Sequence, residues 1–143
     1  MSTEKRDPWK DAITRMISLT ESGEIGWSLS TSIRSKRENV VGEVYTARYL
    51  EREIAVYEYR YKQYQSRAAT PMSPIFLHEL DPDRWFWANS VSVEFVTVNG
   101  EVDWRWPTTP NHFALLDAIR RQHSGADVFL RKLLSLDTKP PTG

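Results

Sequence analysis

No cysteine occurs in the 143 residues. That excludes a disulfide framework, a thiolate zinc site and a cysteine nucleophile. Net charge is also missing: Lys plus Arg and Asp plus Glu both number 19. No bulk field therefore draws the chain to nucleic acid or to an anionic membrane. The densest basic cluster, "RSKR" at Arg34–Arg37, is followed at once by Glu38. No apolar run approaches the roughly 20 residues that a membrane-spanning helix needs. The opening "MSTEKRDPWKD" is polar and lacks the apolar segment of a signal peptide, so a cytoplasmic location is expected. Glycine is scarce, with six residues mostly at turns. Neither Gly-x-Gly-x-x-Gly, Gly-x-x-x-x-Gly-Lys nor the elbow Gly-x-Ser-x-Gly is present, which leaves no phosphate-cradling loop and no nucleophile elbow. Internal repeats are absent too. One globular domain over 1–136 and a disordered tail over 137–143 are expected.

What is present is pattern. Asp7, Pro8 and Gly23 bracket a first helix whose apolar stripe is Trp9, Ile13, Met16 and Ile17. In "EIGWSLSTSI", Ile25, Trp27 and Leu29 alternate with small polar residues, as in a half-buried strand, and "RSKRENVVG" reads as a polar loop. Two strands, "GEVYTARYL" and "EIAVYEYRYKQY", form a hairpin around Glu51–Arg52. A two-residue turn would set Tyr49 opposite Ile54. A three-residue turn would put Tyr49 and Tyr45 on the face of Tyr57 and Tyr59. Residues 66–84, with three prolines, read as a long connection with a short strand at Ile75–Leu77.

The clearest local signal is "SVSVEFVTVNGEVDWRW". Alternation runs up to Asn99-Gly100, a pair suited to a type I′ turn, and then runs back. The implied pairs are Val96–Asp103, Phe95–Trp104 and Val93–Trp106, which puts Val91, Val93, Phe95, Trp104 and Trp106 on one face. Trp104 and Trp106 are thus expected to be core. Thr109 and Pro110 then open a helix with Phe113, Leu116 and Ile119 inward, Gly125 breaks it, and a second helix carries Phe129, Leu130, Leu133 and Leu134. The expected fold is α+β: an antiparallel sheet of about five strands, with an N-terminal helix and two C-terminal helices packed on one face.

Four groups of residues are candidates for function. Trp85 and Trp87 follow the proline-rich stretch, where a ring is expected to reach solvent. Tyr57, Tyr59 and Tyr61 alternate along one strand with Arg60 and Lys62, which places tyrosines and cations on opposite faces and weakens a nucleic-acid reading. Arg34, Lys36 and Arg37 could contact an anion. His78 lies near Glu79, Asp81 and Asp83, but the spacing matches neither HExxH nor an EF-hand. His112 and His123 share a helix face but stand roughly 16 Å apart, too far for one metal. Asp117 is placed to pair with Arg120 or Arg121.

No catalytic group, metal site or cofactor is assigned from these patterns. Aromatics make up 12% of the chain, and with balanced charge they favour a non-catalytic protein-interaction module: an adaptor, regulatory subunit or inhibitor. A protein partner is expected, a homo-oligomer is open, and membrane and nucleic-acid partners are disfavoured. The alternative is a binding module for a nucleotide or another small planar ligand. Third is a hydrolase-type enzyme using His78, nearby carboxylates and His112.

Overall fold

A computed structural model describes residues 7–66 and 80–137. Helix α1 (Pro8–Glu21) starts as the sequence implies: the Asp7 carboxylate accepts hydrogen bonds from the Trp9 and Lys10 backbone N–H groups at 3.0 and 3.4 Å. These satisfy two of the donors that a helix start leaves unpaired. Its buried stripe is Ile13, Met16 and Leu19, with Trp9 and Ile17 partly covered.

The expected first strand is much shorter than its alternation suggested. Only β1 (Ser28–Leu29) pairs, and the Ser30 hydroxyl caps a short helix α2 (Thr31–Ser35) by accepting from the Ile33 N–H. Serine and threonine hydroxyls compete with strand ladders in this way. Then β2 (Val40–Tyr49) and β3 (Arg52–Ser66) form a hairpin about the two-residue turn Leu50–Glu51. The pairing is Tyr49 with Arg52, Ala47 with Ile54 and Tyr45 with Val56. Tyr49 does not face Ile54 directly, but Tyr45 and Tyr49 share its face, opposite to Tyr57.

Strand β4 (Leu80–Val96) runs back along β3. Strand occupies Leu80 to Arg84, where a connection was expected; the proposed strand at Ile75–Leu77 lies outside the described residues. The hairpin from β4 to β5 (Val102–Arg105) keeps Phe95 opposite Trp104, but Val96 pairs with Val102 instead of Asp103. The turn causes the Val96–Val102 pair, and a further register shift between Phe95 and Val96 restores Phe95 to Trp104. The Gly100 N–H donates to the Thr97 carbonyl at 2.9 Å, and only Gly100 (φ 83°) is left-handed, not Asn99. A turn closed by a left-handed glycine inserts one extra residue in place of the type I′ pair.

The sheet is antiparallel throughout in the order β1-β2-β3-β4-β5. Helix α1 and α3 (His112–Ser124) pack on one face, over Ile54, Val56, Val91, Val93 and Trp106. Helix α2 packs on the opposite face through Ile33, beside Val44, Ala55 and Tyr57. Helix α3 buries His112, Leu115, Leu116, Ala118 and Ile119, while Phe113, expected inside, points out. Its inward stripe at 112, 115, 116 and 119 has proper helical spacing, but His112 disguises its start as polar. Helix α4 (Ala126–Asp137) follows Gly125 and packs against α3, with its large apolar side chains mostly exposed. Of the tail over 137–143, all but Asp137 lies outside the described residues.

Candidate interaction surface

Strands β3 and β4 outrun their neighbours. Pairing to β2 ends at Val40 with Tyr59, and pairing to β5 ends at Arg105 with Glu94. From Arg60 to Tyr64 and from Trp85 to Asn89, among the described residues, the strand ladder joins β3 and β4 to each other alone, with the Arg60 N–H also donating to the Asn39 carbonyl at 3.0 Å. This is a two-stranded ribbon, a form with little stability of its own in water. Its side chains are exposed on both faces. Trp85 and Trp87 are each 42% accessible, and Phe86 and Tyr61 are also exposed.

Register sorts the ribbon. Lys62 sits opposite Trp87, Tyr64 opposite Trp85, and Arg60 opposite Asn89, so these six share one face. Tyr59, Tyr61, Phe86 and Ala88 share the other. The two candidate groups thus fall on opposite faces of the ribbon, Trp85 and Trp87 on one and Tyr59 and Tyr61 on the other. Within β3, Tyr57, Tyr59 and Tyr61 do lie opposite Arg60 and Lys62, as expected, but Tyr64 and the indoles of β4 share the cation face. The Arg60 guanidinium lies over the Trp87 ring at 4.5 Å and the Lys62 ammonium over the Trp85 ring at 4.6 Å. Each contact contributes roughly 0.5–1 kcal/mol at an exposed site. The two indoles meet edge to face with centroids 5.4 Å apart.

Tyr57 departs from the expected surface. It is 2% accessible and belongs to a buried polar cluster that the sequence did not reveal. Its centre is Glu94, wholly buried: one carboxylate oxygen accepts from Arg37 Nε at 2.8 Å, and the other from the Tyr57 and Ser92 hydroxyls, each at 3.2 Å. Arg105 Nη2 donates to the Tyr57 hydroxyl at 3.3 Å and lies 3.8 Å from Glu94. Burial first, and then the Glu94 charge, push the Tyr57 phenol above its ordinary pKa. With no accessible surface, Glu94 braces β3, β4 and the segment after α2 against one another and has nothing to offer a substrate. The signal missed was the alternation itself: Glu94 occupies what reads as a solvent position.

The three proposed anion ligands are likewise engaged. Arg37 is buried against Glu94. Lys36 donates to the Asn99 carbonyl and pairs with Glu101, bracing the 97–101 turn. Arg34 Nε donates to the Gly42 carbonyl at 2.7 Å, and Arg34 and Arg60 together line a shallow recess with Asn39, Val40 and Val41.

His78 and Glu79 lie outside the described residues, and of Asp81 and Asp83 only the strand backbone is described. His112 is buried, with Nδ1 accepting from the Thr109 N–H at 3.1 Å, and burial lowers its pKa. His123 lies edge-on to Tyr45 at 5.7 Å. Arg120 and Arg121 bypass Asp117 and pair with Glu58 and Asp127. Among the described residues no group of three His, Asp or Glu side chains could hold a metal ion, and no helix is long and apolar enough to cross a membrane. No family model, no curated protein and no solved structure matches this chain.

Proposed function

We propose that this chain is a non-catalytic protein-interaction module whose contact surface is the β3–β4 ribbon. One observation carries the reading: among the described residues no other strand flanks the ribbon beyond Tyr59 and Glu94, yet it presents Trp85, Trp87, Phe86 and Tyr61 to solvent. Large aromatics dominate binding energy where they become enclosed at an interface. The tryptophan face pairs this apolar area with two cations already held on the rings, which suits a partner segment carrying carboxylates between apolar side chains. The test is capture from native lysate with the wild-type chain beside Trp85→Ala/Trp87→Ala. The expected result is a stoichiometric protein that the double variant loses, with a melting temperature close to wild type. Equal capture by both forms would refute the ribbon as the contact surface.

A second reading, a nucleotide or other planar ligand, is favoured by the placing of Arg60 and Lys62 on the same face as the indoles. Arg34 and Arg60 converge on one recess beside that face. Titration with nucleotides discriminates: a ligand at 100 times its Kd raises stability by about 2.7 kcal/mol.

A further inference from the structure

A second site lies between α1 and the β2–β3 turn, at the end of β3 away from the ribbon. It is a pocket of about 300 Å³, at the small end of the roughly 300–1,000 Å³ typical of small-molecule sites. Its wall is aromatic: the Trp9 and Trp106 rings meet at 5.1 Å, and Trp106 and Phe95 at 5.3 Å. Ala12, Met16 and Ile54 complete an almost wholly apolar surface.

Among the described residues that line it, the charged ones, Arg15 and Arg52, are both cationic. Arg52 is committed: it stacks over Phe95 at 4.1 Å and pairs with Asp103 at 2.8 Å. The Arg15 guanidinium has no hydrogen bond or ion pair to a described residue, in a chain where most other described arginines have one.

The rim carries a backbone outlier. Leu50 and Glu51 have φ of 50° and 64°, a left-handed conformation that side chains with a Cβ resist. Asn-Gly would make this turn without strain. Instead the turn holds Leu50, 79% accessible, at the pocket edge. Strain of this kind gathers at ligand clamps.

We propose that this pocket binds a small monocarboxylate with an apolar tail, a medium-chain fatty acid or an arylalkanoate. The tail lies against Trp9, Trp106 and Phe95 under Leu50, and the carboxylate pairs with Arg15. Both ends are required: the apolar wall takes the tail out of water, and the guanidinium gives the carboxylate a charge-assisted partner.

The probe is decanoate, titrated by calorimetry and by indole emission, with decanol as its uncharged counterpart. The expected result is saturable 1:1 binding below the micellar concentration of decanoate. Arg15→Gln, at an exposed position, should weaken it at least tenfold without moving the melting temperature, and decanol should bind at least tenfold more weakly than decanoate. Ala12→Phe should fill the pocket and abolish binding, with circular dichroism confirming the fold. Trp85→Ala/Trp87→Ala should bind decanoate as wild type does. Absence of saturable binding, equal affinity in Arg15→Gln, equal affinity for decanol, or unchanged binding in Ala12→Phe would each overturn the proposal.

Discussion

Trp104 and Trp106 stand two positions apart on the same face, yet they should respond very differently to truncation. Trp106 is 6% accessible and sits in the main core; Trp104 is 44% accessible, though it touches Trp9 at 5.0 Å and stacks on Phe95. Trp106→Ala should cost about 3–5 kcal/mol, the range for a large buried aromatic. Trp104→Ala, which removes a half-exposed ring, should cost about 1–2 kcal/mol by the same area argument. Urea unfolding of both variants measures the difference. His112 carries a pH signature. Burial lowers its folded pKa below the ordinary 6.5, so above 6.5 both states are neutral and its contribution is complete. Below 6.5 the unfolded chain takes up a proton that the folded chain resists, and stability is lost as pH falls. Wild type should lose more stability between pH 7 and pH 5 than His112→Asn, in which the side-chain oxygen can still accept from Thr109. Neither the exposure of Trp104 nor the burial of His112 was legible in the residues alone. Trp104 lies on the sheet's last strand, and His112 looks polar until Leu115, Leu116 and Ile119 are seen to share its side.

At the scale of elements, turns decide what alternation leaves open. The β2–β3 turn spends two L-residues in the left-handed region, each at a cost of roughly 1–2 kcal/mol. Replacing Leu50–Glu51 with Asn-Gly should therefore raise stability by about 1–2 kcal/mol, read from the urea midpoint. A loss of stability would mean that Leu50 itself packs favourably. The long hairpin β4–β5 was readable because its information is local: hydrophobic alternation on either side of Asn99-Gly100 places Phe95 opposite Trp104. The turn's extra residue was not readable, since Asn-Gly serves both turn types and the choice is made with Lys36 braced against the Asn99 carbonyl.

For the whole molecule, the core lies between the sheet and helices α1 and α3, with a smaller cluster under α2. Helix α4 adds little to either. Phe129 is 68% accessible, whereas Leu115 is fully buried. Phe129→Ser should change stability by no more than about 0.5 kcal/mol, as at other surface positions. Leu115→Ala should cost about 2–5 kcal/mol. Thermal unfolding of the two variants in dilute solution separates them, and a large effect at Phe129 would place α4 over a core that the fold does not show.

The α+β class, the order of elements, the capped first helix and the Phe95–Trp104 pairing were determined by the sequence itself, because each depends on residues close together along the chain. Tertiary structure alone decided which charges are buried, where the ribbon leaves its neighbours, and what lies over each indole. Glu94 meets Arg37 across 57 positions, and Trp87 meets Arg60 only through the β3–β4 register. The pocket beside Arg15 needs α1, the β2–β3 turn and Trp106 at once. The physical reason is that hydrophobic periodicity states which side of an element is apolar, whereas burial and electrostatics depend on what the rest of the chain places against that side.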